Sequence, residues 1–466
     1  MKALQKIGAL LMPKLQLVMR FFAAQGITLA GNMVFGLLCV RLLPASQYAM
    51  FVVVFAVQGT LVILMDVNFS GSLIPLIGER THDLELIADY VASLRRLANQ
   101  LFAVVGIGLI VAYPLLVKHR NWSWQIVAAM VATLLVSSYV IRVGTAYGAV
   151  LILLRDRGNW YKGQMVASLG SLALLIVCWA LGWLNGFAAI WINVSGLVFT
   201  GVFYYRRAKS LLGFPGVASS EKRKSIVRLA LPNVPQSIFY ALQGQIPTFL
   251  ITFLGRTSGI AGVGALGRLG QIFALLLQMN PLLVEPYFAR LPKSRLKTNY
   301  LAAVAIAVTV CTLIAVVCSR FPELFLWVLG PTYSNLGYEV TLAITSSAIS
   351  CFGSVLWFIH SARRFIYWWS NITSIVLIFA VQFFFILKMD VSTIRMVLWL
   401  NIATNLVSLL VNVLSGIYGF ARGPREVEES LVPEEIEEAK SLFEAKEQED
   451  ETSASPSFPV SHGKEI

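Results

Sequence analysis

Runs of about twenty apolar residues recur along nearly the whole chain, and no soluble fold accommodates that many. They fall near 21–43, 49–77, 86–117, 124–154, 160–182, 186–205, 228–254, 260–289, 300–319, 335–360, 366–387 and 393–418. Each is long enough to cross a bilayer as a helix, the only form in which a single segment satisfies its own backbone in hydrocarbon. With 57% of its residues hydrophobic and only 13% charged, a soluble version would expose large adhesive patches. The expected fold class is all-α and polytopic, with about twelve transmembrane helices.

Charge sets the expected orientation. Residues 421–466 carry 13 of the 24 acids and 5 of the 37 bases. With the N-terminus cytoplasmic, the inner segments before that tail contain 23 Lys and Arg, against seven in the outer segments. Cytoplasmic loops are the basic ones, so both termini are expected inside, in a bacterial inner membrane. Such loops report topology, and no nucleic-acid partner is expected. The longest basic segment separates six spans from six, which predicts two pseudo-symmetric six-helix lobes around a central cleft. The expected divisions are an amphipathic interfacial helix at 1–19, a first lobe at 20–206, a linker at 207–227, a second lobe at 228–420, and an acidic tail at 421–466. The tail is Glu-rich, then Ser/Pro-rich, and is expected to be disordered, with a transient acidic helix over 433–449.

Spans seven and eight, Leu229–Arg290, carry polar stripes that lipid would leave unpaired. On the first, Pro232, Gln236, Tyr240, Gln243 and Pro247 share one helical face; on the second, Arg268, Gln271, Gln278 and Glu285 do. Such faces point to protein or to a water-filled cavity. In the first lobe, Asp66 and Arg142 each lie 18 residues beyond a span's outer end, about 27 Å in at 1.5 Å per residue. They are expected to meet, either as a structural salt bridge or as a substrate or ion site. Arg268 has no acid at its depth in the second lobe, which suits anions; snorkelling toward the interface is the plainer alternative. Gln25, Thr28, Asn32, Gly36 and Cys39 form a stripe on span one that reads as helix packing or a pathway wall. Ser346, Ser350 and Ser354 read as packing. Tyr139, Tyr147, Tyr240 and Trp357 are placed to stack on a sugar. Five cysteines in apolar runs and four scattered histidines show no metal spacing, and no nucleophile or phosphate-loop motif is present, so no cofactor is expected.

Several stretches resemble the polysaccharide flippases of the multidrug/oligosaccharidyl-lipid/polysaccharide (MOP) exporter superfamily. They are Val40-Arg41-Leu42-Leu43-Pro44 with Tyr48-Ala49-Met50-Phe51, then Leu64-Met65-Asp66-Val67-Asn68, then Gly262 to Leu269, and most clearly Phe321-Pro322 to Gly330-Pro331-Thr332-Tyr333. The resemblance implies a MATE/MOP-like cleft lined by spans one, two, seven and eight, and transport by alternating access of an undecaprenyl-diphosphate-linked oligosaccharide. On that reading Arg142 and Arg268 meet the diphosphate, and Asn32, Gln236, Tyr240, Gln243, Gln271 and Gln278 meet sugar hydroxyls. Ala49 and Asn68 depart from the family's glycines, and Gln243 and Gln245 stand where relatives often carry a charge. The expected partners are the lipid-linked oligosaccharide, bilayer lipids and, through the tail, polysaccharide biosynthesis proteins. A cation-coupled drug exporter of the same superfamily and a polysaccharide polymerase are the alternatives; short outer loops speak against the polymerase.

Overall fold

A computed structural model describes residues 23–78, 80–231 and 234–423. The expected N-terminal interfacial helix, the tail beyond 423 and Pro232 lie outside the described residues. Among the described residues every regular element is helical.

The first lobe comprises α1 (Ala23–Leu42), α2 (Ala45–Leu64), a short α3 (Leu73–Ile77), α4 (Leu84–Val117), α5 (Trp124–Leu153), α6 (Arg157–Ala180) and α7 (Gly186–Leu212). Local chemistry sets the ends. Pro44 sits in an extended conformation between α1 and α2, where a missing N–H costs nothing. Asp83, Ser123 and Asn185 cap α4, α5 and α7 by accepting from the backbone N–H three residues on. Gly213, at φ +75°, closes α7. That helix runs beyond residue 206, so the first part of the expected linker is helix.

The rest of the linker is pinned to the first lobe. Helix α8 (Ser220–Ala230) places Lys222 Nζ 2.6 Å from Asp89 on α4, and Val217 N donates to the same carboxylate. Nearby, Arg207 on α7 bonds Asp156 in the α5–α6 turn at 2.6 Å. Burial acts to raise the Asp156 carboxyl, and hydrogen bonds from Asn159 and Arg207 outweigh it, leaving its pKa below the usual value. A depressed carboxylate holds its contribution above its unfolded pKa and loses it as pH falls through the folded one.

The second lobe comprises α9 (Val234–Gln243), α10 (Ile246–Leu254), α11 (Thr257–Leu269), α12 (Ala274–Met279), α13 (Glu285–Arg290), α14 (Lys293–Arg320), α15 (Pro322–Leu329), α16 (Gly337–Arg363), α17 (Trp368–Lys388) and α18 (Ile394–Arg422). Among the described residues ten helices are each long and apolar enough to cross a membrane. The other two expected spans are broken. Helices α9 and α10 bend by 50° at Gly244–Gln245, just before Pro247, which cannot donate to the helical ladder. The expected eighth span is interrupted by a 3₁₀ turn at Gly270–Phe273 and a π turn at Asn280–Val284. Counting each broken run as one crossing gives the twelve expected.

The outer surface is apolar, with Val104 and Ile107 about two-thirds exposed, and Trp124, Trp183, Trp327 and Trp368 exposed at helix ends. This is the pattern of a lipid-facing wall between aromatic belts. The lobes meet where α2 packs against α9, α10 and α11. Thr60 Oγ1 lies 3.3 Å from the Ala241 carbonyl there, and Gly264 admits Val52 so closely that a Cβ at 264 would stand 2.2 Å from a Val52 methyl. Close approach through small residues is how helices gain contact in lipid. Gly264→Ala is expected to destabilise the protein by about 1–3 kcal/mol through this overpacking. Thermal unfolding in detergent measures it, and adding Val52→Ala is expected to restore most of the loss.

Candidate functional site

Helix α18 carries Asn401, Thr404, Asn405, Ser408 and Asn412 on one face, and α16 carries Ser346, Ser347, Ser350 and Ser354. The fold turns these faces toward each other and toward α9 and the broken run α11–α12. Three adjoining cavities result, of about 640, 490 and 260 Å³. Tyr240, Ser350, Asn405 and Ser408 border both the first and the second. Gly244, Gln271, Ser347 and Asn401 border both the second and the third. The three therefore form one polar seam within the second lobe. Its wall on the first-lobe side is α2 and the turn after it, through Val52, Phe55, Ala56, Ile63 and Asn68.

At the end of the seam lies Arg268, only 6% exposed and, among the described residues, the single charged one lining any of the three cavities. Its guanidinium carbon sits 4.1 Å from the Phe55 ring centroid and 5.6 Å from that of Phe51. Such cation–π contacts contribute about 2 kcal/mol when desolvated. Gly36 on α1 leaves room for it: a Cβ there would stand 2.9 Å from the Arg268 Cδ. Among the described residues no carboxylate forms an ion pair with Arg268. A buried guanidinium held by ring faces keeps its N–H donors for another acceptor.

The amides are arranged around the same space. Gln236 Oε1 accepts from Asn371 at 3.5 Å, and Gln243 Oε1 accepts from Gln382 at 2.5 Å. Asn405 Nδ2 donates to the Ser346 hydroxyl and carbonyl at 3.0 and 3.1 Å. The Gln271 Oε1 atom is buried without a partner and faces the second and third cavities. Tyr240 and Trp357 border the largest cavity. Of the residues singled out in sequence, the structure thus brings together Arg268, Gln236, Tyr240, Gln243 and Gln271. Gln278, further along α12, lines none of the three cavities.

The first lobe departs from expectation. Asn32 accepts a hydrogen bond from Ser168 at 2.9 Å, and the Thr28 carbonyl accepts from the same hydroxyl, so that part of α1 packs on α6. Asp66 and Arg142 form no ion pair. Helix α2 ends at Leu64, and the chain turns through Val67 and Asn68 at φ +37° and +66°, which takes Asp66 off the helical face that was to carry it. Its carboxylate instead accepts from the Ser70 hydroxyl and amide at 2.6 and 3.0 Å. Arg142 is buried on α5 above the Tyr139 ring, with its guanidinium carbon 4.4 Å from the centroid.

Sequence reading misses the α18 face and Ser347 and assigns Ser346, Ser350 and Ser354 to packing; Ser346 does bond Asn405 across the helix pair, and all three serines also border the cavities. The signal was present as polar residues recurring at three- and four-residue spacing on two neighbouring spans.

Neither a family model nor a curated protein matches the sequence. Solved structures do share the fold. The chain superposes on the inward-facing conformation of a multidrug resistance MATE family transporter of the MOP superfamily, at 17% identity over 85% of this chain and 94% of that one, with a TM-score of 0.57. The outward-facing conformation of a multidrug resistance MATE family transporter of that superfamily gives 16%, 86%, 93% and 0.54. The lipid II flippase MurJ, in an inward closed conformation, gives 12%, 85%, 87% and 0.53. The fold is therefore that of MOP superfamily transporters.

A water-filled seam makes a chemical prediction. In a background without the native cysteines, Ser350→Cys, Asn405→Cys and Ser408→Cys are expected to react with a water-soluble maleimide. Leu410→Cys, on the apolar outer face of α18, is expected to resist it. Mass spectrometry of the labelled protein reads the difference.

Proposed function

We propose that this chain is a membrane transporter that moves a lipid-linked oligosaccharide across the cytoplasmic membrane by alternating access. One observation carries the reading: among the described residues the seam is lined by amides, hydroxyls and one guanidinium that forms no ion pair, with no carboxylate. A cavity that receives cationic drugs needs negative charge, whereas one that receives an oxyanion and many hydroxyls needs donors and neutral amides. Arg268 suits the diphosphate, since a guanidinium bonds phosphate oxygens in pairs. The amides of Gln236, Gln243 and Gln271, with Asn405, suit sugar hydroxyls, and Tyr240 and Trp357 suit the apolar face of a sugar ring. The lipid portion needs no protein cavity, because the bilayer already solvates it.

The second-lobe seam, and not the space between Asp66 and Arg142, is the centre of this proposal. Asn32 and Gln278 have no place in it. Opening and closing requires α2 to move against α9, α10 and α11, and the bends at Gly244–Gln245 and Gly270–Phe273 lie in the wall that must move. Export for surface polysaccharide assembly, with both termini cytoplasmic, is the setting this chemistry fits.

Reconstituted into vesicles with a fluorescent lipid-linked oligosaccharide, Arg268→Ala is expected to slow translocation about tenfold to a hundredfold. That is the worth of one or two charge-assisted hydrogen bonds. Arg268→Lys is expected to retain part of the rate. Normal translocation by Arg268→Ala, or efflux of a cationic dye that depends on the seam residues, would overturn the proposal in favour of a drug exporter.

A further inference from the structure

A second pair of arginines lies apart from the seam. Arg95 on α4 and Arg142 on α5 stand close enough for their charges to oppose one another, and neither forms an ion pair with a described carboxylate. Three tyrosines surround them. Tyr147 holds Arg95 through its hydroxyl, 3.4 Å from Nη1, and packs edge-on against Tyr205 at 5.1 Å. Tyr139 lies under Arg142, and the Phe102 ring, edge-on to Tyr139, stands 5.7 Å from the guanidinium carbon. Arg142 is 6% exposed, and its Nε is buried without a hydrogen-bond partner. Arg95 and Tyr139 are exposed, so the cluster opens on one side.

Like charges held together without a counter-ion are costly, and an arginine that merely snorkels extends its head to water. Arg142 does neither: its donors are enclosed by aromatic walls beside a second cation. The arrangement lacks only an anion. Depth narrows the choice. Arg95 lies about 16 Å from the start of α4, and Arg142 about 16 Å from the end of α5, at the same end of the bundle. Helix α4 has 34 residues, about 51 Å, so it overhangs a 30 Å hydrocarbon core by roughly 10 Å at each end. The backbone of the pair then lies roughly 6 Å inside the hydrocarbon edge, a depth from which long arginine side chains reach toward the headgroup layer.

We infer that Arg95, Arg142, Tyr139, Tyr147 and Tyr205 form a binding site for a lipid-borne phosphate or diphosphate, entered from the membrane. The guanidinium groups bond its oxygens in pairs, and the exposed Tyr139 and Tyr205 hydroxyls donate from the rim. Two sources supply this chemistry: an anionic phospholipid of the bilayer, or the diphosphate of a polyprenyl-linked substrate on its way to the seam. The second source rests on the proposed function; the first does not.

Native mass spectrometry of the full chain, titrated with polyprenyl diphosphate, phosphatidylglycerol or phosphate-free diacylglycerol, tests the site. The Arg95→Gln/Arg142→Gln double variant is expected to bind at least one phosphate lipid about tenfold more weakly than the unaltered protein. Arg142→Lys is expected to stay within about threefold, and diacylglycerol binding to be unaltered. A loss confined to polyprenyl diphosphate assigns the substrate; a loss with phosphatidylglycerol assigns the bilayer. Single Arg95→Gln and Tyr139→Phe variants give the same reading if the double variant does not fold. Equal affinity for both phosphate lipids in variant and unaltered protein, or an equal loss for diacylglycerol, overturns the inference. The phosphatidylglycerol arm does not depend on the seam, so failure of the export reading would not move its result.

Discussion

Hydrocarbon supplies no hydrogen-bond partner, and the rest of this structure follows from where the chain puts the polar groups it nevertheless carries through the membrane. The serines of α16 and the asparagines of α18 face one another because lipid would leave them unpaired. Asn405 shows the result, spending both amide hydrogens on the Ser346 hydroxyl and carbonyl of the neighbouring helix. Bonds of this kind contribute only about 0.6 kcal/mol on average in membrane proteins. Their number matters less than what they leave over. Gln271 Oε1 has no protein partner, and the Arg268 guanidinium, beside Tyr48, has no carboxylate among the described residues, so the seam keeps unspent hydrogen-bonding capacity.

The helix breaks belong to the same economy of backbone groups. A 50° bend between α9 and α10 and the 3₁₀ and π turns of the eighth crossing each free carbonyls and amides from the regular ladder. Irregular backbone at membrane depth survives only where it lines a cavity or is covered by protein. The bend and the 3₁₀ turn do line one: Gly244 and Gln245 border the seam from α9–α10, and Gly270 and Gln271 from the run after α11. The wall of the cavity is therefore also its least regular and most adjustable part. The long, unbroken α16 and α18, with α14 packed on α16, form the rest of its frame.

Much of this was legible in the sequence, for a simple reason. The hydrophobic requirement of a span is so strong that twenty apolar residues announce it, and a glutamine stripe on span seven stands out against that background. The same strength hides weaker signals. Ile394–Arg422 retains a mean hydropathy of 1.8 despite its asparagines, so the polar face of α18 passes as an ordinary span. The Asp66–Arg142 pairing failed on geometry. Counting residues inward assumes an unbroken helix, and α2 stops two residues before Asp66. Nothing local marks the turn, since Val67, a β-branched residue, takes a positive φ that favours glycine. Tertiary packing imposed it.

That failure sharpens the division of labour between the lobes. Had Asp66 neutralised Arg142, the first lobe would have held a closed ion pair and offered a ligand nothing. With Asp66 occupied by Ser70, Arg142 is left beside Arg95, and both lobes present arginine without a carboxylate partner among the described residues: one pair toward the inner end of α4 and α5, one residue deep in the seam. Guanidinium groups at two depths favour anionic occupants at both. They repel the same cations that a carboxylate-lined cavity would gather. The sign of the charge, more than the shape of the fold, is what the export proposal rests on.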